Sequence, residues 1–530
     1  MHNVAERGAT PGCLAGRRTA GAIMAAPMET LVAPTAAEGA ESATLGESAA
    51  DRFDQAFDRA AGATLTGGNA IRLLLDAREN FPAWLAAIAE ARCYVFFESY
   101  IIADDGVGHA FIEALAAKAR EGVRVCVVYD WLGSTKLSRP WEPLRAAGAQ
   151  VRCFNPPSVE SPLAWLTRDH RKSIVVDGEV AFVSGLCVSS AWEGDPARRL
   201  EPWRDTGIEL RGPAVADIAA AFAQVWSACG GEPFHAAVPS VRDEGEVRVR
   251  VIAGVPNSAA TYRTDLLVAS LAREHLWLTD AYFVATSAYT EALRAAARDG
   301  VDVRLLVPGA SDLPPVSPLS RAGYRALIEA GVRVFEWNGT MLHAKTAVAD
   351  GRWARVGSTN LNLLSWISNY ELDVAVEDVA FAEAMAAQYE RDLARSTEIV
   401  LTSRNRVRRG APRAAAEPAA ARRAISGSAG RAAAGAVSVG SALGAALTNR
   451  RTLAPSETGL LTSVALLTLA IAVVAALFPR VLAWPVAVLA GWLGIAWGWK
   501  AWTLRRKARS QRSPGAAPRP APQATREDGS

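Results

Sequence analysis

His170-Arg171-Lys172-Ser173-Ile174-Val175-Val176-Asp177 and, far downstream, His343-Ala344-Lys345-Thr346-Ala347-Val348-Ala349-Asp350 are the stretches on which the reading of this 530-residue chain turns. Each reads H-x-K, then four residues, then Asp, and each continues into Gly. On a strand, side chains i and i+2 share a face. That spacing predicts that His170 and Lys172 point the same way, as do His343 and Lys345, while the intervening residue and the apolar run beyond are buried.

The tails match as well. Asp177-Gly178 leads to Ala181-Phe182-Val183-Ser184-Gly185, and Asp350-Gly351 leads to Ala354-Arg355-Val356-Gly357-Ser358-Thr359-Asn360. One such motif is weak, because a lone His or Lys on a strand is usually structural. Two with similar tails point to a shared purpose: an imidazole beside an ammonium, twice, suits a phosphate held while a histidine attacks it. The pattern resembles the paired HKD motifs of the phospholipase D superfamily, and within it bacterial cardiolipin synthases, over roughly Gly67 to Leu401. The resemblance implies an α/β fold of two tandem phospholipase D-like α/β/α domains related by a pseudo-two-fold axis; apolar stretches beyond it predict a C-terminal transmembrane helical hairpin.

The regular alternation supports that expectation. Helical spacing at Glu79–Arg92, Val107–Arg120 and Trp141–Ala147 interleaves with strand-like Cys93–Ile102, Val123–Tyr129 and Val151–Phe154. Tyr262–Glu274, Ser287–Arg298 and Arg321–Ala330 then read as helices, with strands at Leu276–Phe283, Val301–Val307 and Val332–Trp337. Strands alternating with helices predict a largely parallel sheet covered on both faces. Glu98-x-Tyr100 matches Asp280-x-Tyr282, Gly122-Val123 matches Gly300-Val301, and Ala147-Gly148 matches Ala330-Gly331, at offsets of 182, 178 and 183 residues against 173 for the histidines. A near-constant offset indicates a duplicated domain, and paired duplicates would bring both motifs to one site.

The expected organisation is a disordered N-terminal segment over 1–63, repeats over 64–240 and 241–401, a basic Ala/Arg-rich linker over 402–456, the hairpin over 457–503 and a basic, Pro-rich tail over 504–530. Met24 and Met28 are further candidate starts. Half the residues are hydrophobic, enough for a large core, and the formal net charge of +3 says little about partners. The linker carries Arg404, Arg406, Arg408, Arg409, Arg413, Arg422 and Arg423, suited to anionic headgroups. Gly459–Phe478 and Val481–Gly498 lack charged side chains and approach the ~20 residues a membrane-spanning helix needs. Flanking basic residues place both ends, and the catalytic region, in the cytoplasm by the positive-inside rule. With the resemblance, this implies the bacterial inner (cytoplasmic) membrane. The six cysteines contain no C-x-x-C and read as reduced, mostly buried thiols.

The chemistry follows from the residue types. Lys172 and Lys345 would neutralise non-bridging phosphate oxygens. One neutral histidine would attack phosphorus, and the other, protonated, would donate a proton to the departing alkoxide. The resemblance assigns the nucleophile to His170 and the acid/base to His343, although local symmetry alone supports either order. It also implies an orienting carboxylate after each motif, Asp205 for the first and Glu371 for the second, and phosphate contacts from Ser358 and Asn360. Cys187 stands where the first copy would carry that Asn. Asp177 and Asp350, at strand ends before Gly, are expected to fix local structure. No cofactor or metal is expected. The predicted activity is phosphatidyl transfer between phospholipids, phosphatidylglycerol among them, with phosphodiester hydrolysis to phosphatidic acid as the alternative. A nuclease is disfavoured by the apolar spans and by a basic segment without interleaved aromatics, and no nucleic-acid partner is expected. A non-catalytic scaffold is disfavoured by the intact His/Lys pairs.

Overall fold

The computed structural model describes residues 49–134, 141–158, 166–198, 200–232, 242–313, 316–401 and 407–409, with scattered residues between 469 and 502. The first repeat runs α1 (Ala49–Ala61), β1 (Thr66–Leu75), α2 (Asp76–Glu90), β2 (Tyr94–Ser99), α3 (Gly106–Arg120), β3 (Arg124–Asp130), α4 (Trp141–Ala146) and β4 (Gln150–Phe154). It continues with β5 (Lys172–Val176), β6 (Val180–Ser184), α5 (Ser190–Glu193), β7 (Thr206–Arg211) and α6 (Val215–Ala228). The second runs β8 (Val247–Gly254), α7 (Ala260–Leu271), β9 (His275–Thr279), α8 (Ser287–Arg298), β10 (Asp302–Pro308), α9 (Val316–Glu329) and β11 (Arg333–Trp337). Then come β12 (Thr346–Ala349), β13 (Trp353–Gly357), α10 (Leu363–Ile367), β14 (Glu371–Glu377), α11 (Val379–Ala394), β15 (Ser396–Leu401) and β16 (Val407–Arg409).

The sheet order β16-β15-β11-β10-β9-β12-β13-β14-β8-β1-β7-β6-β5-β2-β3-β4 is close to a palindrome. The first repeat reads 4-3-2-5-6-7-1 from its outer edge, the second 11-10-9-12-13-14-8, and antiparallel β1 and β8 join them at the middle. Parallel pairing among these strands is confined to β2 with β3 and β3 with β4, then β9 with β10 and β10 with β11, while β15 and β16 extend the second repeat's edge antiparallel. The strands that carry the motifs and their tails are antiparallel hairpins, β5–β6 and β12–β13. The expectation of a largely parallel sheet is therefore corrected. Asp-Gly turns, which suit left-handed backbone, close antiparallel hairpins without a crossover helix.

Alternation decides the layering. In β2, Tyr94 and Phe96 enter a core with α6 and α11 that draws on strands of both repeats, while Val95 and Phe97 face α2 and α3. The second repeat packs α7, α8 and α9 into its own core. Apart from Pro156–Leu166, both repeats fall in one compact unit.

Three further expectations change. Residues 49–61 form a helix, not disorder: Phe53, Phe57 and Ala61 recur every four residues, and Phe57 and Ala61 bury against the second repeat's core. The basic linker begins as strand β16, where Arg409 pairs with the buried Glu336 at 3.2 Å. Cys126, Cys153, Cys187 and Cys229 are free thiols, but half-buried Cys93 is disulfide-bonded. Residues 1–48, the rest of the linker, the 240/241 boundary, most of the predicted hairpin and the 504–530 tail lie outside the described residues. Among the described residues no helix is long and apolar enough to cross a membrane.

Candidate active site

The histidines precede their strands. β5 starts at Lys172 and β12 at Thr346, so His170 and His343 sit on the approaches. Each approach pairs with the other repeat. The His170 N–H donates to the Tyr370 carbonyl at 2.9 Å, and the Tyr370 N–H to the Arg168 carbonyl at 2.8 Å. The His343 N–H donates to the Arg204 carbonyl at 2.7 Å, and the Arg204 N–H to the Met341 carbonyl at 2.9 Å. The residue after each pairing partner is a carboxylate, and it lands beside the histidine across the junction.

The orienting pairs are consequently crossed. His170 Nδ1 lies 2.9 Å from Glu371 Oε2, and His343 Nδ1 lies 2.8 Å from Asp205 Oδ2. The sequence expectation assigned Asp205 to the first motif and Glu371 to the second, and the structure reverses it. The reason is spatial: the chain carries each carboxylate away from its own motif and across the pseudo-two-fold junction. With Nδ1 facing a carboxylate, Nε2 is the ring nitrogen turned away from it, and that of His343 lies 3.0 Å from Lys345 Nζ.

Lys172 Nζ donates to the His170 carbonyl and lies 5.2 Å from the Tyr100 ring centre. Lys345 Nζ donates to the His343 carbonyl, sits 2.9 Å and 3.0 Å from the two ring nitrogens, and faces Tyr282 at 5.8 Å. Each lysine acts electrostatically on the other repeat's histidine, so the two motifs share one charged neighbourhood. Both rings are almost wholly buried, at 8% and 4% exposure. Burial holds His170 down to about 4, with Glu371 pulling the other way. Burial, reinforced by Lys345, holds His343 down to about 3. Without bound substrate both imidazoles are therefore neutral near pH 7. Burial also lowers Lys345 to about 8. Burial alone would raise Asp205 and Glu371, but their histidines and other donors more than offset it and keep both low.

Asp177 and Asp350 do not face this cluster. Asp177 accepts from the N–H groups of Arg92, Cys93 and Tyr94 at 2.8, 2.8 and 2.7 Å. Asp350 accepts from Arg273, Glu274 and His275 at 3.0, 2.9 and 3.1 Å. Both have positive φ, 54° and 49°, in the hairpin turns. They lock the turns to the starts of β2 and β9.

Asn360 is buried, and its Oδ1 has no hydrogen-bond partner. Ser358 has a different task from the phosphate contact expected of it. Its hydroxyl donates to Glu371 Oε2 at 2.5 Å and accepts from the Leu372 N–H at 2.9 Å.

Sequence reading missed Arg171. Its guanidinium is fully buried and donates to the carbonyls of Glu371, Ala221 and Gly254 and to Gln224, tying β5 to the second repeat. It also missed Arg204, which grips Asp392 and Asp76, and Trp192, which donates to Asp205 at 2.8 Å. A buried guanidinium inside an H-R-K triplet was the available signal for Arg171; Trp192 had none.

Known proteins place this site in a family. The family model described as "Cardiolipin synthase, PLD-like domain" matches residues 268–393. Cardiolipin synthase A of Pseudomonas aeruginosa is 37% identical over 346 residues, 64% of this chain and 70% of that protein. Cardiolipin synthases of Geobacillus kaustophilus and Alkalihalophilus pseudofirmus are 35% and 33% identical, covering 61% and 67% of those proteins. A solved phosphatidylserine synthase from Haemophilus influenzae aligns at a TM-score of 0.49 and 13% identity, over 65% of this chain and 91% of that one. By the extent of its identity to these bacterial enzymes, the chain belongs to the cardiolipin synthase family of the phospholipase D superfamily.

Proposed function

We propose that this protein is a phosphatidyltransferase that makes cardiolipin, joining a phosphatidyl group to the glycerol of phosphatidylglycerol through a covalent phospho-histidine. The observation that carries this reading is the crossed pair of imidazole–carboxylate contacts, His170–Glu371 and His343–Asp205, in a chain with cardiolipin synthase relatives. Neutral His170 attacks phosphorus through Nε2. The bond from phosphorus to the leaving oxygen breaks, and His343 gives that oxygen a proton. The acceptor alcohol then loses its proton to His343, its oxygen attacks phosphorus, and the N–P bond breaks. The neutral state that burial imposes suits His170 as nucleophile. For His343 the proton must arrive with the substrate: an anionic phosphodiester beside a buried imidazole favours the imidazolium. Lys172 and Lys345 neutralise the non-bridging oxygens as charge builds, and Asn360 donates to phosphate.

The repeats over 64–240 and 241–401 act as one catalytic body. The apolar stretches at 457–503 hold it at the inner membrane, facing the cytoplasm, beside its lipid substrates. Expression in bacteria lacking their own cardiolipin synthases, followed by lipid analysis, tests the assignment. New cardiolipin supports it. Phosphatidic acid without cardiolipin, from well-expressed protein, would replace transfer by hydrolysis.

A further inference from the structure

The two repeats secure their carboxylates differently. In the second, Ser358 Oγ donates to Glu371 Oε2, the same oxygen that meets His170, and Asn369 donates to Oε1 at 3.1 Å. The corresponding residue of the first repeat is Gly185. A Cβ there would stand 2.2 Å from Asp205 Oδ1, so no serine fits beside this aspartate. The missing donor comes from elsewhere. Trp192 Nε1 donates to Asp205 Oδ2 at 2.8 Å, the oxygen that also meets His343, while the Thr206 N–H holds Oδ1 at 2.8 Å. The same indole meets the His343 ring at right angles, 5.1 Å between centres, and Trp203 packs against both. Trp192 is 1% exposed on a four-residue helix that this contact aims. The residue at the matching position of the second repeat is Ser365, and the neighbouring Trp366 donates instead to Asp265 at 3.3 Å, away from the carboxylate–histidine pairs.

We propose that Trp192 is the positioning residue of His343: through Asp205 it fixes the imidazole with its proton on Nδ1 and so sets when Nε2 gains and loses a proton. The role rests on the phosphatidyltransferase reading for its kinetic consequence, but not for its structural one. An N–H aimed at a carboxylate oxygen competes with the histidine for that oxygen's charge. Removing it leaves a more basic partner for His343 and raises the imidazolium's affinity for its proton. Ser358 has the matching influence on His170.

The test uses the full-length protein in detergent micelles. Trp192→Phe keeps the aromatic filling and removes the donor. The expected result is a fall in kcat of about tenfold or more with KM for lipid within about twofold, because one hydrogen bond to a charged group is lost. The alkaline limb of the kcat–pH profile should move upward, whereas Ser358→Ala should move the acidic limb that belongs to His170. Nitrogen-15 NMR on histidine-labelled protein reads His343 directly: its Nδ1 proton signal and titration should change in Trp192→Phe while those of His170 stay fixed. If Trp192→Phe does not fold, Gly185→Ala displaces Asp205 from the same indole without touching the tryptophan and should shift the same His343 signal. An unmoved His343 titration, or unmoved limbs with kcat within twofold, overturns the proposal. Wild-type protein without phosphatidyl transfer would refute the activity alone, and the NMR result would still decide the positioning role.

Discussion

Asp205→Asn is the perturbation that most directly probes the crossed site. The substitution keeps the shape but cannot satisfy its surroundings. Oδ1 accepts from the Thr206 N–H, and Oδ2 accepts from the Trp192 indole and faces His343 Nδ1. An amide oriented either way turns its NH2 toward a donor. One buried donor then goes unmade, at a cost of about 1–3 kcal/mol. The imidazolium also loses its counter-charge. The Asp-to-Asn change in a serine protease triad lowers kcat by roughly ten-thousandfold, and this site, with Lys345 beside the ring, should lose about a hundredfold to ten-thousandfold. Phosphatidyl transfer in mixed micelles measures that loss. Urea unfolding of single and double variants measures the pairing itself. Asp205→Asn combined with His343→Gln should be less damaging than the two separately by about 1–3 kcal/mol, since contacting residues couple. Combined with His170→Gln it should be additive within about 0.5 kcal/mol. Coupling to His170 and additivity with His343 would refute the crossed geometry.

Other outcomes follow from the same contacts. Rapid quenching at alkaline pH, which preserves the acid-labile N–P bond, should leave the labelled phosphatidyl phosphorus on the His170 peptide, read by mass spectrometry; label on the His343 peptide would exchange the two roles. Both histidines have folded pKa values below the unfolded 6.5, at about 4 and 3, so stability is fully present above pH 6.5 and falls as pH drops toward those values. The unfolding free energy should decline less steeply in His170→Gln, by roughly 3 kcal/mol over the window from pH 6.5 to about 4. Asp177→Ala should cost about 3 kcal/mol, because three N–H groups lose their acceptor, and leave KM nearly unchanged. Asp177→Asn, which tolerates positive φ and still accepts, should cost less in the same denaturation assay. Arg171→Met should destabilise by about 3 kcal/mol or more, since it strips donors from several buried carbonyls at once.

Local pattern made much of this protein legible. The duplicated H-x-K-x4-D stretches identified both histidines and both lysines, because motif chemistry needs only neighbouring residues. Helices such as Ser287–Arg298 were read to the residue because capping and apolar period are local signals. The Asp-Gly turns similarly announced the structural duty of Asp177 and Asp350.

What the tertiary structure alone decided is partnership across the junction. That Glu371 serves His170 and Asp205 serves His343 depends on pairing between segments some 200 and 138 residues apart. The same holds for Ser358, whose hydroxyl is directed to a carboxylate, and for Trp192, which fills a gap created by Gly185. A linear chain records which groups are available for chemistry. The contacts that tune those groups come from the packing of one repeat against the other, where burial and long-range pairing fix each proton's place.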